Sequence, residues 1–263
     1  MLNFLRTTWL LYRTHLVRTL RARRMWLVAF GVALAPAIAW VVAQSPRTIR
    51  GLDVLTALGF LLTINVMAPL ASVIVGAAVL GEELEDRTIT YLLTRPISRP
   101  AILVGRWLAS ATVLVALFAA SAALLGWVAG GFPPPSNEKY VIPPGLTGAL
   151  VGASALAVLT YSALFSTLGV FFKHPMIVGL GYAFTIEGFL ANLPGKNQAL
   201  TIQYYVRCFL ASQHPQAWAG VEDVVPREPL DAAQAVRWLL GIALVALAIG
   251  AWALRRKQYE LTA

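Results

Sequence analysis

The sequence contains little charge and almost no cysteine. Only 13% of its 263 residues are charged, about half the share of a typical soluble domain. This deficit favours a protein embedded in a lipid bilayer, where a polar surface is not required. The single cysteine, Cys208, excludes an internal disulfide and any CxxC metal or redox motif.

Long apolar runs are abundant, and only one of them contains a charged residue. Six of them occur, at 25–43, 54–80, 107–130, 146–172, 176–193 and 238–254. Each has close to the roughly 20 residues that a helix needs to cross the hydrocarbon core. None alternates with a period of two, as a membrane barrel strand would. The sequence therefore predicts an all-α polytopic membrane protein, with a six-span transmembrane domain over 25–263.

The basic residues are distributed unevenly between the two sides of these spans. Fourteen of the 21 Lys and Arg residues lie on the side of both termini, and seven lie on the other side. Because basic residues gather on the cytoplasmic side, we expect a bacterial cytoplasmic (inner) membrane protein with both termini inside. Residues 194–233 then form an outer segment between the last two spans. The net charge of +9 reflects this orientation, and no nucleic-acid partner is expected.

The N-terminal residues 1–24 predict an amphipathic helix. Leu5, Trp9 and Leu20 fall on one side, while Arg6 and Arg13 lie about 90° away from them. We expect the helix to lie along the inner membrane face, with Trp9 in the apolar boundary and the arginines at lipid phosphates. A plain basic anchor would explain the charge but not the apolar side.

A charged loop interrupts the apolar pattern between the second and third spans. Acidic residues follow Gly81 and favour the start of a new helix, since the helix dipole stabilises negative charge there. The new helix ends before Pro96. Its centre, ITYLL, exposes apolar side chains ringed by charge, which indicates a docking surface for a soluble protein. An ordinary solvated loop would explain the charges but not this centre.

The same loop carries a family resemblance. Its pattern E-x-E-x-x-T-I-x-Y-L-L-x-R-P-x-S-R resembles the loop after the second span of ABC-2 type transporter permeases. The resemblance implies that 82–100 is a cytoplasmic coupling loop and that 1–24 is a connecting helix beside it. An ABC ATP-binding subunit would dock on the loop through Glu83, Glu85, Thr88, Ile89, Tyr91, Leu92, Leu93 and Arg95.

The resemblance also implies the composition of the transporter. Two permease chains, as a homodimer or a related pair, would assemble with two ATP-binding subunits and export a substrate. The sequence has no G-x-x-x-x-G-K-[ST] loop, so ATP and Mg²⁺ belong to the partner. We expect no catalytic residue, metal site or bound cofactor in this chain.

Polar residues within the apolar runs are candidates for the substrate pathway. Glu187 lies deep in the fifth run, where an ionisable group is a functional candidate by default, although it also fits a carboxylate at the outer interface. Asn65, Tyr161 and Ser162 either line a cavity or bond to neighbouring helices.

Two other functions fit parts of the sequence. A small secondary transporter would use Glu187 as its proton site and need no ATPase. A CAAX-type intramembrane protease resembles the chain through E-E-x-x-x-R at 82–87, but it needs paired glutamates and histidines around one site. The three histidines, His15, His174 and His214, fall in separate regions, which disfavours the protease.

Overall fold

The chain folds into helices. A computed structural model describes residues 2–44, 49–79, 98–132, 141–192, 196–215 and 229–256. Within these ranges the chain forms helices and no strand, which confirms the all-α prediction for the described part. The helices are α1 (Leu2–Arg21), α2 (Arg23–Ala43), α3 (Gly51–Gly76), α4 (Arg99–Gly130), α5 (Leu146–Phe171), α6 (175–192), α7 (Ile202–Gln213) and α8 (Ala232–Arg256).

Two of these helices change their winding along their length. In α3, the stretch Leu55–Met67 is π-helical, and Thr63 Oγ1 donates to the Leu58 carbonyl at 2.8 Å, five residues back. In α6, a π-helical stretch, Ala183–Phe189, lies between an α-helical and a 3₁₀ segment. Such winding is rare and is often found at functional sites.

Among the described residues, five helices are long and apolar enough to cross a membrane: α2, α3, α4, α5 and α8. They coincide with the predicted first, second, third, fourth and sixth spans. The predicted fifth span coincides with the segmented α6, which is not one of these five. Multiple membrane-spanning helices are therefore present, while the count of six stays a prediction.

Successive helices run in alternate directions from α2 to α6, whereas α8 runs parallel to α5, with Thr160 hydrogen-bonded to Leu239 and Thr167 hydrogen-bonded to Ala246. Arg99, at the start of α4, donates to the carbonyl of Leu254 near the end of α8, at 3.3 Å. This end also holds the junction of α1 with α2, and we call it the basic end. At the opposite end, the start of α3 meets the end of α4, where a Cβ on Gly51 would lie 2.5 Å from the Ala129 carbonyl oxygen.

Tryptophans mark both ends of the exposed surface. Trp26 and Trp40 lie near the two ends of α2, and Trp238 and Trp252 near those of α8, all four exposed. Each pair is separated by 14 residues, or about 21 Å along a helix. Aromatic side chains of this kind favour the two membrane–water interfaces, so their placement fits a chain that crosses a membrane.

The bundle is held together by small residues and polar contacts. A Cβ on Gly76 would lie 3.1 Å from the Ser162 carbonyl oxygen, so glycine lets α3 approach α5 closely. Ser121 Oγ donates to the Val32 carbonyl at 2.9 Å, and Thr167 Oγ1 donates to the Ala246 carbonyl at 2.8 Å. Close approach and hydrogen bonding between helices stabilise packing where lipid removes the hydrophobic driving force.

Candidate functional site

The predicted docking residues lie outside the described part of the chain. Glu83, Glu85, Thr88, Ile89, Tyr91, Leu92, Leu93 and Arg95 all fall between Val79 and Ser98. Their assignment as the docking surface therefore stays a prediction. The structure does describe the residues that flank this loop in α3 and α4.

Both ends of the loop are fixed to the bundle. Arg106 of α4 is buried, and its guanidinium donates to the carbonyl of Val79, at 3.2 Å. Arg99 contacts the end of α8, where a basic side chain also complements the helix dipole. The described residues on either side of the loop are thus bonded to α3, α4 and α8.

Helix α1 packs across α4 through a polar and narrow face. Thr8, His15 and Thr19 are buried on this face, and the His15 Nε2 lies 3.2 Å from Ser110 Oγ. A Cβ on Gly105 would lie 2.8 Å from the Thr8 carbonyl oxygen. The backbones of α1 and α4 are therefore in direct contact.

The other side of α1 carries exposed apolar and basic residues. Leu5, Trp9 and Leu20 are each more than half exposed, and the Trp9 ring stacks on Tyr12 with centroids 5.4 Å apart. Arg6 and Arg13 are exposed beside them. Leu2–Arg21 is helical, and its assignment as an amphipathic helix on the membrane surface stays a prediction.

His15 gives α1 a pH dependence. Burial, together with the positive charges of Arg106, Arg18 and Arg24, lowers the pKa of His15 from 6.5 to about 3. Because the folded state holds a neutral imidazole, its stability is constant above the unfolded pKa near 6.5 and falls as the pH decreases towards 3. We expect a loss on the order of 1 kcal/mol per pH unit over this window.

Thermal unfolding of the purified protein between pH 7 and pH 5 measures this effect. The variant His15→Gln keeps a partner for Ser110 but cannot be protonated, so its unfolding temperature should change less with pH. Equal pH dependence in the two proteins would contradict a buried neutral His15.

Glu187 is the centre of a buried polar cluster at the opposite half of the bundle. Its side chain is 0% exposed. Oε1 accepts from the backbone N–H of Ile202 at 2.8 Å and from the Tyr182 hydroxyl at 3.1 Å, and Oε2 accepts from the N–H of Gln203 at 3.1 Å. The carboxylate therefore binds the first turn of α7, where unpaired N–H groups and the helix dipole favour an anion.

The side chain of Gln203 extends this cluster to α3. Gln203 Nε2 donates to the backbone carbonyl of Asn65 at 2.9 Å. Four residues further along α3 is Pro69, which has no N–H to donate to that carbonyl. The side-chain amide of Gln203 supplies a donor to the Asn65 carbonyl, which Pro69 cannot do.

Arg207 completes the cluster one turn further along α7. It is 2% exposed, and its guanidinium donates to the Ala191 carbonyl at 2.8 Å and to the Asn192 and Gln203 side-chain oxygens at 3.1 Å. It also lies over the Phe60 ring, 5.8 Å from the centroid. A buried arginine is stable only with such partners.

The predicted pathway residues fall into two groups. The Asn65 backbone and Glu187 belong to the cluster. Tyr161 is buried with its hydroxyl beside Glu187, although this oxygen and Asn65 Oδ1 have no hydrogen bond of ordinary geometry within the described part. Ser162 lies elsewhere: its hydroxyl accepts from Trp107 Nε1 at 3.1 Å, which is a contact between α5 and α4.

Gln203 and Arg207 belong to the cluster but were not among the predicted site residues. A signal for Arg207 was present, because an arginine inside the apolar stretch IQYYVRCFLA must find buried partners. Gln203 carried no comparable signal, since its role depends on Pro69 in a distant helix. Among the described residues, no three His, Cys, Asp or Glu side chains are placed to hold a metal ion.

Comparison with known proteins connects this bundle to one family. The family model described as "ABC-2 family transporter protein" matches residues 18–259. The match extends from the end of α1 to the residues after α8. No curated protein matches the chain.

Proposed function

Because the chain belongs to the ABC-2 family of transporter proteins, we propose that it is the permease subunit of an ATP-driven exporter. A separate ATP-binding subunit docks on the loop 82–100 and supplies the ATP and Mg²⁺ chemistry. Two such subunits work with two permease chains, either identical or related. The observation that carries the proposal is the family match over 18–259.

The hydrogen bonds of the residues that flank the loop support a mechanical role for it. The loop joins α3 to α4, and Arg106 of α4 donates to Val79, the last described residue before the loop. Closure of the ATP-binding subunits moves the loop, and α4 carries this movement to α1 and α8, with which it packs. The tilt of the spans then changes, so that the pathway is open to one side of the membrane at a time.

Glu187 does not favour the secondary-transporter alternative. Both of its carboxylate oxygens are engaged by hydrogen-bond donors of the protein itself. The protease alternative needs histidines at one site, yet His15 packs against α4 at the basic end, whereas His214 lies beside Gly145 at the opposite end.

Co-purification tests the function directly. The permease is expressed in its own host and purified in detergent through a tag on the permease. We expect the ATP-binding subunit to be recovered with it, and ATP hydrolysis by the complex to be inhibited by vanadate. A permease recovered without an ATP-binding subunit under these conditions would contradict the proposal.

The proposed topology places the basic end in the cytoplasm of a bacterial cell. Ser98 and Gly131 are exposed and flank the two ends of α4, so cysteines at these positions report on opposite sides. In a Cys208→Ala background, an impermeant maleimide added to intact cells should label Gly131→Cys and leave Ser98→Cys unlabelled. The reverse pattern would invert the topology, and labelling of both would exclude α4 as a span.

A further inference from the structure

Helix α7 covers the end of the bundle opposite the basic end. Eight of its twelve residues are buried. Tyr205 stacks on Trp238 at the start of α8, with centroids 5.8 Å apart. A Cβ on Gly152 of α5 would lie 3.6 Å from the Phe209 ring. Through Arg207 over Phe60, the same helix also reaches α3.

The polar attachments of α7 converge on its first two turns. Glu187 binds the N–H groups of Ile202 and Gln203. Gln203 and Arg207 then connect α7 to α3 and to the end of α6. Glu187 and Asn65 both lie in the π-helical stretches of their own helices, so α7 is attached where α3 and α6 depart from regular winding.

We propose that Glu187 is a positioning residue that holds α7 as the closure of the transport pathway at this end. When the pathway opens there, the first turn of α7 leaves the carboxylate. The proposal rests on the transport function proposed above. It extends that function by naming the element that moves and the residue that restrains it.

The chemistry of the contact suits a reversible restraint. In the closed state, the carboxyl group of Glu187 and two backbone donors satisfy one another in a buried site. In the open state, water satisfies the same groups, so the net change per hydrogen bond is small. A purely apolar contact of the same area would have no such replacement partner in water.

The site requires a carboxylate in particular. Oε1 and Oε2 each face a backbone N–H of α7. A glutamine side chain has only one acceptor oxygen, and its NH₂ group would face one of these donors. Glu187→Gln therefore keeps the size of the side chain but leaves one N–H group of α7 without a partner.

Cys208 provides a reporter on α7 itself. It is the only cysteine of the chain, and it is 0% exposed. Burial also raises the pKa of its thiol, which lowers its reactivity further. Reaction with N-ethylmaleimide therefore measures how often α7 leaves its site.

The first measurement uses the purified full-length chain without any ATPase. We expect Glu187→Gln to increase the rate of Cys208 modification about tenfold or more, since one buried N–H group of α7 loses its acceptor. Ser121→Ala is the matched control, because it removes a buried hydrogen bond between α4 and α2 and should leave the rate unchanged. A wild-type rate in Glu187→Gln would overturn the positioning role.

A second variant keeps this measurement decisive if Glu187→Gln is not recovered in folded form. Gln203→Ala retains the backbone N–H that Glu187 binds and removes only the side-chain contact to Asn65. We expect a smaller but measurable increase in the rate. No increase in this variant would also contradict attachment of α7 through its first turn.

The second measurement uses the complex with the ATP-binding subunit in the wild-type background. The Cys208 rate should differ at least severalfold between the nucleotide-free and the vanadate-trapped complexes. Equal rates would overturn the role of α7 as a moving closure. The first measurement needs no ATPase, so failure of the transport function and failure of the positioning role give different results.

Discussion

Replacing Leu92 by aspartate will abolish recovery of the ATP-binding subunit with the permease. Leu92 lies in the ITYLL centre of the loop between Val79 and Ser98. Buried apolar anchors dominate binding at protein interfaces, while charges at the rim contribute little. An unpaired carboxylate placed in such a contact costs about 3–5 kcal/mol, which corresponds to a loss in affinity of at least a hundredfold.

The control is the same charge at the edge of the loop. Ser98 is exposed and precedes α4, so Ser98→Asp should retain the partner. Arg99 also lies at the edge of the loop, but it is a poorer control because it donates to the Leu254 carbonyl at the end of α8. A change at Arg99 would therefore disturb the bundle as well as the loop. Both variants should remain folded in detergent, since the change lies outside the spans. Full recovery of the partner with Leu92→Asp would mean that the ITYLL centre packs elsewhere, for example on α1.

The long membrane-spanning helices could be predicted because composition alone determines them. Runs of about 20 uncharged residues have no stable alternative in a bilayer. The winding of α3 and α6 could not be predicted in the same way. It depends on contacts such as Gln203 to Asn65, which join residues 138 positions apart in the sequence.

For Glu187, the sequence indicates that the residue is exceptional but does not indicate its partners. Its depth in an apolar run identified it as exceptional, but its partners are backbone N–H groups, which every helix N-terminus offers. The sequence therefore gave no reason to connect it with α7. The structure places it among Tyr182, Ile202 and Gln203, and this arrangement suggests a restraint on α7 rather than a group exposed to substrate.

Helix α1 is a case in which the apolar side predicted from the sequence is not the buried side. Its apolar side was visible from the spacing of Leu5, Trp9 and Leu20, and these residues are exposed. The side that packs on α4 is mixed, with Thr8 and His15 buried and Leu11 packed beside them. Apolar periodicity did not locate this contact, because polar side chains and the Thr8 backbone at Gly105 make much of it.

Gly105 should therefore tolerate no side chain. A Cβ at this position would lie 2.8 Å from the Thr8 carbonyl oxygen and 3.1 Å from Leu11 Cβ, and the first of these is a backbone atom that cannot rotate away. Gly105→Val will displace α1 from α4, at a cost of about 1–3 kcal/mol for overpacking. We expect trypsin to cleave faster at the arginines of α1 and the unfolding temperature to fall by several degrees.

Gly241 provides the matched comparison, because it lies within a long helix, α8, and a Cβ there has no described atom within 4 Å. Gly241→Val should leave both proteolysis and unfolding unchanged. Since α1 contacts α4 directly beside Arg106, Gly105→Val should also weaken the coupling of ATP hydrolysis to transport in the complex. Wild-type proteolysis of α1 in Gly105→Val would show that α1 and α4 are not in backbone contact, and α1 would then be only a basic anchor.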